Sequence, residues 1–210
     1  MIDVYNWPTS NGRKIHIMLE ETGLPFRLHP VNIRKKEQFR PEFLAISPNN
    51  KIPAIVDQDG PGGQPLSIFE SGAILIYLAE KSGRFLPSAG AARFKVLEWI
   101  FFQVGGIGPG FGTANHFRSH ETESTGYAAE RATKEAARLM RVLETRLAEE
   151  EFLGGDYSIA DIATFPWLET VQRQGLKMSD HPHVERWFKA VAARPAVQRG
   201  LAIMAEHRSR

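Results

Sequence analysis

The chain has 210 residues, 42% of them apolar and 24% charged, and 26 Lys and Arg against 24 Asp and Glu leave a formal net charge of +2. This is the composition of an ordinary soluble globular protein, long enough for one large core or two small ones. Acids and bases are interspersed, so there is no basic stripe of the kind nucleic-acid binding needs, and no apolar run approaches the ~20 residues of a membrane helix. Cysteine is absent; disulfides, thiolate metal sites and Cys-x-x-Cys chemistry are excluded, and any thiol must arrive with a ligand. The seven histidines form no paired ligand motif such as His-Glu-x-x-His, so no metal is expected. Asp3 follows directly on Met1-Ile2, where a secretory signal would carry an apolar stretch, so a cytoplasmic protein is expected.

Ile2 to Tyr5 alternates as a short strand and runs into the turn formers of Trp7-Pro8-Thr9-Ser10-Asn11-Gly12. Arg13 to Thr22 places Ile15, Met18, Leu19 and Thr22 at helical spacing and stops at Gly23 with Pro25 beyond, a standard helix end. Phe26 to Ile33 reads as a second strand, so the opening is β-α-β with a right-handed crossover and parallel strands. Gln38 to Leu44 reads as a short amphipathic helix. Ile52 to Asp57 and Leu66 to Phe69 form a hairpin around a Gly/Pro cluster, and a helix follows from Glu70. The first 82 residues therefore run β-α-β-α-β-β-α, a thioredoxin-like arrangement, with a linker at 83–90.

From Ala91 onward strand signals vanish, and residues 91–210 read as an all-helical second domain. Ala92 to Val104 is an apolar, aromatic helix running into Gly105-Gly106-Ile107-Gly108-Pro109, where a kink or break is expected. Tyr127 to Glu151 carries Ala132, Ala136, Leu139, Leu143 and Leu147 at spacings of three and four, a long amphipathic helix. Tyr157-Ser158-Ile159-Ala160-Asp161-Ile162 carries a capping box with Tyr157 as its staple on Ile162. It opens a buried helix to about Gln172 and reads as a folding determinant. Helices at about 184–193 and 196–205 complete the domain.

Two features around the hairpin carry chemistry. Pro53 opens its strand, and an Ile52-Pro53 bond can take the cis form at a cost of about 0.5 to 1 kcal/mol; the expectation is that it does, with the Ile52 backbone turned outward to pair with an extended peptide. Glu70-Ser71 stands at a helix start, where the Ser71 amide and hydroxyl can hold a carboxylate and Glu70 an ammonium. Together they suit the α-amino acid head of a short peptide.

Asn50-Lys51-Ile52-Pro53-Ala54, Phe69-Glu70-Ser71-Gly72-Ala73-Ile74 and Ser158-Ile159-Ala160-Asp161-Ile162 resemble, in that order, the cytosolic glutathione transferases. More narrowly, Pro8 to Gly12, Gln38 to Phe43, Ser47 to Lys51 and Trp99 to Gly106 look like the bacterial nu class, which includes glutathione-dependent disulfide-bond oxidoreductases. The resemblance implies the glutathione transferase fold, a homodimer, and glutathione as co-substrate. It places Thr9 and Asn11 beside the glutathione sulfur, where most classes use Tyr, Ser or Cys. Ser10 and Tyr5 stay open as thiol partners, as does a purely capping role for Asn11. The γ-glutamyl group falls at Glu70 and Ser71, the cysteinyl backbone against Ile52 and Pro53, and the glycine carboxylate near Gln38 and Lys51. Arg131 resembles a contact to a second glutathione, against the alternative of an ion pair with Glu135, and Gln103 a contact to the partner subunit's ligand. The implied activity is reduction of a small-molecule or protein disulfide. The alternatives are conjugation or peroxide reduction, or a non-catalytic glutathione-binding module.

Overall fold

Four short strands form one mixed sheet in the order β2-β1-β3-β4: β1 (Ile2–Asn6), β2 (Phe26–Pro30), β3 (Ala54–Asp57) and β4 (Leu66–Phe69). The computed structural model describes residues 1–120, 122 and 125–207. β1 is parallel to β2 and antiparallel to β3, which is antiparallel to β4. Before residue 87 this unit carries the helices α1 (Ser10–Thr22), α2 (Pro41–Leu44) and α3 (Ser71–Ser82). The order is the expected β-α-β-α-β-β-α, and the unit is a thioredoxin-like domain.

Local chemistry moves several boundaries. α1 begins at Ser10 because Thr9 caps it, its hydroxyl accepting from the Gly12 amide at 3.2 Å. β2 stops at Pro30, three residues early; the Asn32 side chain takes the amides of Arg34 and Lys35 and starts a 3₁₀ turn, Ile33–Lys35. The helix expected from Gln38 starts at Pro41, since a residue before proline is pushed out of the α region and Arg40 has ψ 141°; Gln38 lies in a 3₁₀ turn, Glu37–Phe39. β3 begins at Ala54, which leaves Ile52 outside the ladder, and the Ile52-Pro53 bond is cis as expected.

The second unit, Pro87–Ala193, is helical: α4 (Gly90–Phe102), α5 (Gly108–Ser119), α6 (Gly126–Glu149), α7 (Ile159–Leu168) and α8 (Pro182–Ala192). The expected interruption after α4 takes the form of one π-helical turn, Gln103–Ile107. Sequence patterning does not foresee α5, whose Gly-Pro-Gly-Phe-Gly start is poor in helix formers. Its glycines serve packing, for a Cβ on Gly110 would lie 2.6 Å from the Leu139 side chain of α6. α7 ends at Leu168 rather than near Gln172: Pro166 lies inside its last turn, and a 3₁₀ turn, Val171–Gln174, follows.

The capping box before α7 is present, and the fold enlarges it. Asp161, fully buried, accepts from the Ser158 amide and hydroxyl at 2.9 and 3.1 Å, from the Leu153 amide at 3.0 Å and from the Trp187 indole of α8 at 2.8 Å. Burial pushes its carboxyl up to about 6 against the pull of these donors. Tyr157 packs edge-on to Phe152, with ring centroids 5.5 Å apart.

The last helix, α9 (Pro195–Ala202), corrects the expected domain boundary. Residues 194–207 group with Met1–Leu86 in one compact unit. A Cβ on Gly200 would fall 2.7 Å from the Ile17 Cα, so α9 lies directly on α1. Charges fix the docking: Arg194 makes a two-pronged contact with Glu21 at 2.6 and 3.1 Å, and Arg199 meets Glu20 at 2.7 Å. Among the described residues no helix is long and apolar enough to cross a membrane.

Candidate active site

The sheet gathers the candidate residues at one edge. Tyr5 near the end of β1 lies opposite Ala54, the start of β3, and Ala54 lies opposite Phe69, the end of β4. Asn6 is paired with Pro30, the end of β2. The loop carrying Thr9, the turn carrying Gln38, the Lys51-Ile52-Pro53 segment and the Glu70-Ser71 step therefore all leave the same side of the sheet. This is where open sheets with parallel strands place ligands.

A side-chain brace shapes the first loop. The Asn6 carbonyl oxygen accepts from the Trp7 amide at 2.8 Å, and its amide nitrogen donates to the Gly12 carbonyl at 2.8 Å and reaches His16 Nε2 at 3.0 Å. Burial pulls the His16 imidazole down to about 4, so it is neutral and its Nε2 receives the amide proton. Gly12 sits inside this brace: a Cβ there would lie 1.9 Å from the Trp7 carbonyl oxygen and 2.5 Å from Asn6 Oδ1. The chain thus turns tightly enough to present Thr9, Ser10 and Asn11 at the tip of α1. Thr9, not Asn11, is the cap. Because the Thr9 oxygen accepts from Gly12, its hydroxyl proton is available to an acceptor outside the helix.

Glu70 and Ser71 stand where α3 begins. Glu70 has φ 70° and ψ 115°, a conformation a residue with a Cβ adopts at a cost of roughly 1–3 kcal/mol, and such outliers gather at functional sites. Its carboxylate is exposed and takes a 3.4 Å contact from the Asn49 amide. Ser71 is buried to 6% exposure, and its hydroxyl accepts from Lys14 Nζ at 3.1 Å. Lys14, on the buried face of α1 at 1% exposure, is pulled down to about 7 by burial, with the Glu70 charge opposing.

The other candidates divide. Ser47 holds the next loop by donating to the Lys51 carbonyl at 2.8 Å; Lys51 is exposed and Ile52 half-buried, and the Ile52 amide makes no backbone hydrogen bond among the described residues. Gln38 keeps a buried Oε1 with no partner among the described residues. The Tyr5 ring stacks on His29 at 4.6 Å and joins the cluster of Val31, Phe43 and Ala54, so its bulk is used in packing. In the helical unit, Arg131 is exposed and lines a cavity of about 410 Å³ with Gly105, Gly106, Pro109 and Phe117. Among the described residues Arg131 makes no contact with Glu135 at ion-pair distance: Glu135 is held at 2.8 and 2.7 Å by Arg138, and the Arg131 charge acts on it from farther away. Gln103 is wholly buried beside Gly108 within this chain. Asn6, Gly12, Lys14 and His16 are site-shaping residues that motif reading passes over. Lys14 carried a signal, a charge adjoining the apolar stripe of Ile15, Met18 and Leu19.

A thioredoxin-like domain with an anion-receptive serine at one helix start, hydroxyl and amide side chains at another, and an appended helical unit is the architecture of a glutathione-handling enzyme. The chain belongs to the glutathione S-transferase family: the profile "Glutathione S-transferase, N-terminal domain" matches residues 10–81, and "Glutathione S-transferase, C-terminal domain" matches residues 115–195. It is 50% identical over 203 residues to the disulfide-bond oxidoreductase YfcG of Escherichia coli K12, covering 96% of this chain and 94% of that protein. To the disulfide-bond oxidoreductase YghU of the same organism it is 40% identical over 216 residues, covering 95% and 73%. Among solved structures, a glutathione transferase family member from Pseudomonas fluorescens pf-5 with two glutathione bound superposes with a TM-score of 0.90 at 48% identity, covering 95% of this chain and 92% of that one. A glutathione transferase from Pseudomonas putida with one glutathione disulfide bound per subunit gives 0.91 at 45%, covering 96% and 91%.

Proposed function

We propose that this protein is a cytoplasmic, homodimeric enzyme that reduces disulfides with glutathione. One bound glutathione thiolate attacks a disulfide sulfur, forming a mixed disulfide and releasing one substrate thiol. A second glutathione thiolate attacks the mixed disulfide, which leaves as glutathione disulfide and the other substrate thiol. Two thiols supply the two electrons, so a chain without cysteine suffices. The observation that carries this reading is the α1 tip, where the Thr9 hydroxyl, used as an acceptor by Gly12, keeps its proton for a thiolate. Asn11 shares the first turn, and the positive end of the helix favours the charge. Arg131, without an ion pair among the described residues, suits a carboxylate of the second glutathione. Lys51 and Gln38 suit the glycine carboxylate, and Ile52 the cysteinyl backbone. α4 exposes Phe94 and Phe101, 65% and 64% open and seven residues apart on one helix face, and this supports a dimer; a dilute-solution monomer in sedimentation would count against it.

Asn11→Ala and Thr9→Ala are expected to lower kcat for glutathione-dependent reduction of a small disulfide by about tenfold to a hundredfold, the scale of a lost hydrogen bond to a charged group. KM for glutathione should change less, because the contact matters most when sulfur carries charge. Tyr5→Phe should do little. A silent Asn11→Ala beside an inactive Tyr5→Phe would replace this mechanism with tyrosine-based conjugation, assayed in parallel on an aryl halide. Binding without turnover in either assay would make the protein a glutathione-binding module.

The head-group reading has its own check. Ser71→Ala and Glu70→Gln should each weaken glutathione by ~1 to 3 kcal/mol in calorimetry. Unchanged affinities would move the γ-glutamyl group elsewhere.

A further inference from the structure

Lys14 is a buried ionisable group that the mechanism leaves unused. It lies on α1, and its Nζ donates to the hydroxyl of Ser71 at the start of α3 at 3.1 Å. A hydroxyl that accepts an N–H from Nζ aims its own proton away from it, and once Nζ is an ammonium it has no lone pair to take that proton back; protonated Lys14 thereby sets Ser71 as a donor to an anion. We propose that Lys14 is a positioning residue for the glutathione head group: it holds the Ser71 hydroxyl toward the γ-glutamyl α-carboxylate and takes up a proton from solvent as that carboxylate binds. This rests on the reading of Glu70 and Ser71 as the head-group site.

The charges around Lys14 give the direction. Glu70, from the turn before α3, is the charged group acting on it, and burial outweighs that attraction to leave the amine near neutrality at about 7. On its own helix Arg13 acts on His16, and at the far end Glu20 and Glu21 are taken by Arg199 and Arg194 of α9. Incoming ligand brings a carboxylate two hydrogen bonds from Nζ, through Ser71. It also brings an ammonium to Glu70, but that charge sits beyond the Glu70 carboxylate. The nearer negative charge decides the sign, and the ammonium form of Lys14 is favoured on binding.

The test uses S-methylglutathione, which has no ionisable thiol, titrated calorimetrically at pH 8 in phosphate and in Tris. A lysine mostly neutral in the free protein and mostly protonated in the complex should take up about half a proton or more per ligand, read from the difference between the two buffers. In Lys14→Met the uptake should vanish and affinity should fall about tenfold to a hundredfold. An analogue with 4-aminobutyrate in place of the γ-glutamyl group lacks the α-carboxylate and should show no uptake with the wild-type protein. Wild-type binding without buffer dependence, or uptake retained in Lys14→Met, overturns the inference and leaves the head-group site standing. Failure of S-methylglutathione to bind the wild-type protein overturns both. The wild-type measurement decides the matter even if Lys14→Met folds poorly.

Discussion

In a Gly12→Ala protein, glutathione-dependent disulfide reduction is expected to fall by more than about a hundredfold, together with a stability loss of about 3 kcal/mol or more, beyond the usual cost of overpacking. The new Cβ would meet the Trp7 carbonyl oxygen at 1.9 Å and Asn6 Oδ1 at 2.5 Å. Neither can step aside cheaply. The first is backbone, and the second accepts from the Trp7 amide while its own amide nitrogen holds the Gly12 carbonyl. Relief requires the loop to open, and that loop carries Thr9 and Asn11. Urea unfolding and steady-state kinetics read the two effects separately. A variant with wild-type midpoint and turnover would show that the loop is not under this constraint.

Asp161→Ala is expected to cost about 3–9 kcal/mol, because the Leu153 amide, the Ser158 amide and the Trp187 indole each lose their acceptor in a buried setting, at about 1–3 kcal/mol apiece. Against a typical total of about 5–15 kcal/mol, that is enough to leave much of the protein unfolded at 37 °C. Ser158→Ala should cost only about 1 kcal/mol, the value of a cap. Because Asp161 contacts no candidate ligand group, the fraction that remains folded should bind glutathione with near wild-type affinity. Equal midpoints for the two variants would show that Leu153 and Trp187 add nothing to the box; lost affinity at full stability would give Asp161 a place in the site.

The two variants differ in how they arise from the sequence. Ser158 and Asp161 are three residues apart, and their reciprocal bonding is written into a four-residue pattern. Trp187, 26 residues from Asp161, reaches the same carboxylate only because α8 folds back beside α7. Gly12 reads in isolation as one more loop former, and its necessity comes from the Asn6 side chain crossing underneath it. The same contrast holds at the glutathione site. Glu70 and Ser71 are adjacent and stand at a recognisable helix start, whereas Lys14 joins them across 57 residues of sequence.

By itself the sequence determined the strand and helix order of the first domain, the hairpin around Gly60, the helix stop at Gly23 and the capping box, because each depends on turn chemistry or periodicity within a few residues. It also carried the family, since the motifs around Pro53, Ser71 and Asp161 occur in one order. Only the tertiary structure decided what joins elements distant in the chain. α9 belongs with α1 because Gly200 admits the Ile17 backbone and Arg194 finds Glu21. α5 is a helix despite its glycines because α6 packs into the space they leave. Gln103 is enclosed, while Arg131 stands open at a cavity wall. In each case the deciding energy is burial or charge pairing between segments, which no local pattern encodes.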